Sequence, residues 1–272
     1  MNTKELYKSL GIKRTFYSCF VKRFLDFFIS LVGILVLSPI LILTYLLTLI
    51  FNGFPAIYKQ ARPGKNNKIF YIYKFRSMSN KKDKDGNLLP DSQRMTWWGK
   101  VLRKTSLDEL PQLFNILKGD MSIIGHRPKL VKDFIFYDED VLKYYVSRPG
   151  LTGLAQTTGR TQNTWEQVFE KDKAYVQKIT FWGDVKIFFG TFVTVFKNTG
   201  ETHDSTEEDK PKTQEYYYAD YLLRTEKINE EQYNYGIELA EKLIKEKGTV
   251  EFVPELHDTE LFEEKQQNKN LD

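Results

Sequence analysis

The chain has 272 residues, 41% hydrophobic and 15% aromatic, enough for a sizeable core in one large domain or two small ones. Its single cysteine, Cys19, excludes a fold built on intrachain disulfides and permits a reducing compartment. Residues 1–200 carry 31 Lys+Arg against 16 Asp+Glu, a balance of +15, while residues 201–272 carry 9 against 20, a balance of −11. A basic body with an acidic tail implies an anionic partner for the body: lipid headgroups, nucleic acid or a phosphorylated substrate.

Residues 1–23 read as a basic N-terminal segment. From Phe27 to Phe51 the chain carries no charge over 25 residues. As a straight helix this run is about 37 Å long, against a hydrocarbon core of roughly 30 Å. Length alone fits a plain spanning helix. It starts too late for a signal peptide and has no cleavage site after it. Two features favour a re-entrant, broken helix over residues 24–52. Pro39 removes a hydrogen bond in mid-segment, and the Ser38 hydroxyl can serve the freed backbone. Both flanks are basic, with Lys22 and Arg23 before and Lys59, Arg62 and Lys65 after, and the positive-inside tendency places both in the cytoplasm. Asp26, at the entry, is expected to pair with Lys22 or Arg23.

Residues 53–200 read as a mixed α/β region. Ile69–Phe75 is β-rich and predicts a strand, Lys81–Ser92 a loop, and Met95–Leu102 a helix. Next comes Arg103-Lys-Thr-Ser-Leu-Asp-Glu-Leu-Pro-Gln-Leu-Phe114. Pro111 fits a first helical turn, so a regular helix is expected from about Asp108. Leu110, Leu113, Phe114 and Leu117 then form a buried stripe that ends at Gly119. Asp108 and Glu109 suit a first turn, and Ser106-x-x-Glu109 matches a capping box. Around them lie arginines and lysines in short Gly/Pro-bounded loops: Gln60-x-Arg62-Pro-Gly64, Lys74-Phe-Arg76, Arg103, Gly125-His-Arg127-Pro128, Arg148-Pro-Gly-Leu-Thr-Gly153 and Gly159-Arg160. Guanidinium forks held in this way suit the paired oxygens of a pyrophosphate. A carboxylate among such cations is expected to stay ionised, as a nucleophile toward phosphorus or a ligand to a divalent cation. Phe181–Phe196 reads equally as a core element or a helix in the membrane interface.

These residues, together with Asp91 and Arg94 and Gly119-Asp-Met-Ser-Ile-Ile-Gly125, resemble the small bacterial sugar transferases, which are monotopic phosphoglycosyl transferases. The resemblance runs from Lys22-Arg23 to about Asn198. It implies a helix-rich α/β fold with a re-entrant hairpin, interfacial helices and a small cytosolic catalytic region, on the cytoplasmic face of the bacterial inner membrane. It implies transfer of a sugar 1-phosphate from a UDP-sugar to polyprenyl phosphate through a phosphosugar on Asp108, with UMP released and Mg²⁺ as cofactor. Glu109 matches the Mg²⁺ ligand, and Arg103, Arg127 and Arg160 match phosphate-binding arginines. The sequence departs from the family pattern at His126, Thr157-Thr158 and Thr161, near the expected sugar pocket. Two other readings are a glycosyltransferase that releases UDP and a basic membrane scaffold. A nucleic-acid partner is not expected, because it leaves Asp108-Glu109 unexplained.

Residues 201–215 read as a linker and 216–272 as an acidic helical extension. Ala219–Arg224 predicts a short helix. Asn229-Glu-Glu-Gln232 predicts a capped start for a second one, with Tyr233, Ile237, Ala240, Leu243 and Ile244 on one face and a stop before Gly248. The extension suits either packing on the catalytic region or docking to a glycosyltransferase of the same pathway. Disorder is expected from about Glu263.

Overall fold

The computed structural model describes residues 3–158, 163–197 and 217–269. A short helix α1 (Thr3–Ser9) leads through a π turn (Tyr17–Val21) into the long helix α2 (Lys22–Asn52). The hairpin β1 (Ile57–Pro63) and β2 (Ile69–Phe75) is antiparallel, with Tyr58 opposite Lys74 and Lys59 opposite Tyr73. Helices α3 (Asp91–Arg94) and α4 (Trp97–Thr105), a 3-10 turn (Leu107–Glu109) and α5 (Gln112–Lys118) follow. Next come β3 (Ser122–Ile124), α6 (Val131–Phe134), α7 (Glu139–Leu142) and β4 (Gly150–Thr152), with β3 and β4 parallel. Helices α8 (Leu154–Thr157), α9 (Trp165–Gln177) and α10 (Phe181–Lys197) precede the extension, which forms α11 (Tyr218–Arg224), α12 (Glu230–Glu246) and α13 (Thr259–Lys269).

Helix α2 is the inverse of a soluble amphipathic helix. Asp26, Ser30, Thr44, Thr48 and Asn52 are buried against the protein, while Phe24, Ile29, Val32, Leu35, Val36, Ile42, Leu43 and Ile50 point outward and are exposed. An outward apolar surface of this extent needs an apolar surrounding. The inward polar groups are satisfied. Asp26 Oδ1 accepts from Ile123 N at 2.9 Å and Ser122 Oγ at 3.1 Å. Trp98 Nε1 donates to Thr48 Oγ1 at 3.0 Å, and Asn52 joins Thr96 and the Arg76 carbonyl. Asp26 therefore does not pair with Lys22 or Arg23 as expected. Lys22 meets Asp184 at 2.6 Å, and Arg23 donates to the Ile116 and Leu117 carbonyls at 2.6 and 2.8 Å. These links tie both ends of α2 to one body. Helix α2 runs without interruption through Pro39, so the break expected there does not split it into a hairpin; Ser38 Oγ donates to Leu35 O at 2.8 Å, the carbonyl that Pro39 leaves without its i−4 donor.

The stripe expected on α5 is rotated. Phe114 is 45% exposed, and the buried positions are Gln112, Asn115 and Ile116. Leu113 packs near Gly33 of α2, so the apolar face meets the membrane helix. Asn115 turns inward because it stitches β2: Oδ1 accepts from Tyr73 N at 3.0 Å and Nδ2 donates to Tyr71 O at 2.7 Å. Helix α10 repeats the inverted pattern, with Asp184 and Ile187 buried and Trp182, Phe189, Phe192 and Val193 exposed. Of the two readings offered for it, the interfacial helix fits this distribution.

The main core joins α6 and the following turn to the extension. Phe134, Ile135, Phe136 and Tyr137 are fully buried with Ala219, Leu222, Ala240, Val250 and Leu256. Asn229 and Gln232 form the expected capping box. Backbone bonds from Ile69 N to Gly248 O and from Val250 N to Asn67 O, both 3.0 Å, attach the extension to the hairpin turn. The disorder expected from Glu263 is corrected as far as Lys269, which is helical. Phe262 is 2% exposed against Tyr235, and Lys265 pairs with Glu255, so α13 is held by its tertiary contacts. The linker 201–215 lies outside the described residues.

Candidate active site

Helix α4 ends where Ser106 enters the left-handed region at φ 56°. The chain then makes the 3-10 turn that carries Asp108 and Glu109, and regular helix begins only at Gln112, after Pro111. This corrects the expected helix start at Asp108. The capping box does not form either, because Ser106 makes no side-chain cap bond. Glu109 instead points at cations: its Oε1 lies 2.7 Å from Lys74 Nζ and 3.6 Å from Arg127 Nη2.

Lys74 comes from the face of β2 opposite to Tyr73, as strand alternation requires. Arg103, on the last turn of α4, donates from Nε to Ser77 Oγ at 3.0 Å and acts electrostatically on Asp108. Arg127 is held on the loop after β3. That loop is set by backbone contacts too close for side chains: Gly125 N donates to Thr152 O at 2.9 Å, and a Cβ on Gly153 would fall 1.9 Å from Gly125 O. Arg62 backs the loop, donating to Pro128 O at 3.1 Å and Gln60 Oε1 at 2.6 Å.

Asp108, Glu109, Lys74, Arg103 and Arg127 thus converge, with Arg62 behind Arg127. Two other expected phosphate binders turn elsewhere. Arg76 Nη1 donates to Phe54 O at 3.2 Å, and Arg148 Nε donates to Gly119 O at 2.8 Å. Arg160 lies outside the described residues, as do Gly159 and Thr161.

The electrostatics correct one expectation. Burial, reinforced by Glu109, pushes the Asp108 carboxyl up to about 6, although Lys74 and Arg103 oppose the shift. The nucleophile candidate is held partly desolvated rather than deep in its ionised range. A second cluster behind the arginines was not anticipated. Burial pushes Asp133 and Asp172 up to about 6 and Lys129 down to about 8. Lys129 Nζ sits 4.6 Å above the Trp165 ring. The neighbourhood of Lys129 to Arg127-Pro128 was the available signal; the remote Trp165 had none.

Among the described residues, no three His, Cys, Asp or Glu side chains converge as a metal cage. Glu109, the expected ligand, offers a single carboxylate, and Mg²⁺ commonly binds through one or two carboxylates with phosphate and water completing the shell.

The bacterial sugar transferase family matches residues 17–198, and the chain belongs to that family. It is an enzyme of the phosphoglycosyl transferase class. It is 40% identical over 190 residues to the uncharacterized sugar transferase EpsL of Bacillus subtilis (strain 168), covering 69% of this chain and 94% of that protein. It is 39% identical over 202 residues to the undecaprenyl-phosphate galactose phosphotransferase of Salmonella typhimurium, covering 67% of this chain and 42% of that one. It is 36% identical over 196 residues to the exopolysaccharide production protein ExoY of Sinorhizobium fredii, covering 66% and 87%. The chain thus spans nearly all of EpsL but less than half of the Salmonella enzyme. The site residues described here fall within the matched stretch; α11, α12 and α13 lie beyond it.

Proposed function

We propose that the chain transfers a sugar 1-phosphate from a UDP-sugar to polyprenyl phosphate, as the first membrane step of a surface polysaccharide. The observation that carries this reading is the meeting of Asp108 and Glu109 with Lys74, Arg103 and Arg127, on a body that also holds the lipid-facing α2. In the first step an Asp108 oxygen bonds to the sugar-bearing phosphorus, and the bond from that phosphorus to the bridging oxygen breaks, so UMP leaves. The phosphosugar then rests on Asp108 as an acyl phosphate. In the second step a phosphate oxygen of the carrier attacks the same phosphorus and Asp108 leaves as carboxylate. Lys74, Arg103 and Arg127 offset the charge that gathers on the phosphoryl oxygens. Glu109 would be the residue to hold Mg²⁺, which would supply further charge neutralisation.

The re-entrant reading of α2 belongs to this proposal. Its support is that both ends attach to one body, that the polar stripe faces that body, and that Ser38 serves the carbonyl beside Pro39. A cytoplasmic catalytic face follows from the basic flanks. Docking of pathway glycosyltransferases falls to the exposed acidic side of the extension, since its apolar side is taken by the core.

The test is a panel of UDP-sugars with Mg²⁺ and no lipid. One sugar is expected to leave label on the protein with release of UMP, and Asp108→Asn to abolish it. With polyprenyl phosphate then added, release of UDP in place of UMP would identify the glycosyltransferase instead. Turnover retained by Asp108→Asn in the presence of that acceptor would overturn the covalent step.

A further inference from the structure

The face of the hairpin that carries Tyr73 and Lys59 looks away from Lys74 and the Asp108 pair. It opens on a cavity of about 770 Å³ lined by Lys59, Lys65, Lys68, Lys118, Lys247 and Asp120. Among the described residues only Lys118 of these lysines has an acidic partner, Asp120 at 3.1 Å. More positive charge stands behind the wall. The Arg23 guanidinium and Arg148 both close on Gly119, which lines the cavity. Burial, then Arg148 and Arg14, hold the Lys65 ammonium below its ordinary range.

Lys59 and Tyr73 also line a second cavity of about 570 Å³. The rest of that lining is apolar in character: Leu41, Ile42 and Tyr45 of α2, Ile57 and Phe75 of the hairpin, and Pro111 and Phe114 at the start of α5. A cationic chamber that shares a wall with an apolar one, beside the helix that faces lipid, has the two-part form of a site for an anionic amphiphile.

We propose that these adjoining cavities hold an anionic phospholipid, its phosphate headgroup among Lys65, Lys68, Lys118 and Lys247 and an acyl chain passing Lys59 and Tyr73 to run along Leu41, Ile42 and Phe114. The ligand is a resident membrane lipid and not the acceptor, because a phosphate among these lysines lies across the hairpin from Asp108. The site also gives the extension a part in membrane attachment, since Lys247 is its residue.

Native mass spectrometry of the full chain in neutral detergent tests this with added phosphatidylglycerol or phosphatidylcholine. The unaltered protein is expected to retain one phosphatidylglycerol with a preference of about tenfold or more. The K65Q/K68Q/K118Q/K247Q variant is expected to lose that preference, and the matching four-arginine variant to keep it, which separates charge from misfolding. Equal retention of the two lipids, or undiminished preference in the glutamine variant, overturns the proposal. So does competition by glycerol 3-phosphate as strong as by phosphatidylglycerol, which leaves the apolar cavity without a role. Polyprenyl phosphate is expected to leave the bound phospholipid in place; its one-for-one displacement assigns the cavities to the acceptor and overturns the proposal.

Discussion

At the scale of the residue, Asp108 governs the pH behaviour. Its carboxyl is raised to about 6 in the folded chain, so labelling of the protein by UDP-sugar is expected to climb as pH rises through about 6. Lys74→Met removes a cation that holds that value down, and the midpoint of the labelling profile should move to higher pH. Stability carries the opposite sign. A carboxyl whose folded value lies above its ordinary 3.8 loses stability as pH rises from about 4 to 6, and stays penalised above that. Asp108→Asn, while abolishing label, should match the parent in thermal unfolding at pH 4. At pH 7.5 it should exceed it by about 1 kcal/mol, allowing for partial exposure. Lys74, Arg103 and Arg127, singled out in short motifs, do gather about Asp108 and Glu109, whereas Arg76 and Arg148, singled out in the same way, turn to backbone carbonyls elsewhere. The sequence misjudged the protonation. Counting nearby cations says nothing of how far the turn after Ser106 withdraws the carboxyl from water.

At the scale of the element, α2 rests on polar groups that point inward. Asp26→Ala leaves Ile123 N and Ser122 Oγ without their acceptor and is expected to cost about 1–3 kcal/mol. Ser38→Ala frees the Leu35 carbonyl for about 1 kcal/mol. Thermal unfolding in detergent ranks the two, and a larger loss from Ser38→Ala would contradict this account. The helix and its lipid-facing character were legible because 25 residues pass without a charge. The inward stripe of Asp26, Ser30, Thr44, Thr48 and Asn52 shares one face of the helix, yet polar residues on a face do not announce whether water or protein meets them. The α5 stripe failed for the same reason: Leu113 packs near Gly33 of α2 while Phe114 is left exposed, and apolar spacing does not say which of its members a neighbour will cover.

At the scale of the molecule, the extension is part of the body that carries the site. Ala219 N donates to Asp133 Oδ1 at 3.4 Å, and a Cβ on Gly236 would fall 2.3 Å from the Phe136 ring. Gly236→Val should therefore aggregate or unfold well below the parent temperature, as size-exclusion chromatography and circular dichroism would register. Truncation before Tyr217 should do the same by baring Phe134, Phe136 and Tyr137. Tags at Met1 and after Asp272 should both report the cytoplasm, and an external N-terminal tag would break the re-entrant reading. Two of the three helices of the extension, α11 and α12, were legible, the second from Asn229, Gln232 and the apolar spacing that follows. Their destination was not, because neither Phe136 nor Asp133 marks itself as a partner.

The bonds from Gly248 and Val250 to the hairpin turn also set an order of events during synthesis. The apolar α2 leaves the ribosome almost two hundred residues before Val250 does. The turn between β1 and β2 therefore lacks its closing backbone partners until nearly the whole chain has been made, and the core over α6 is sealed only once residues 217–262 have come back to it.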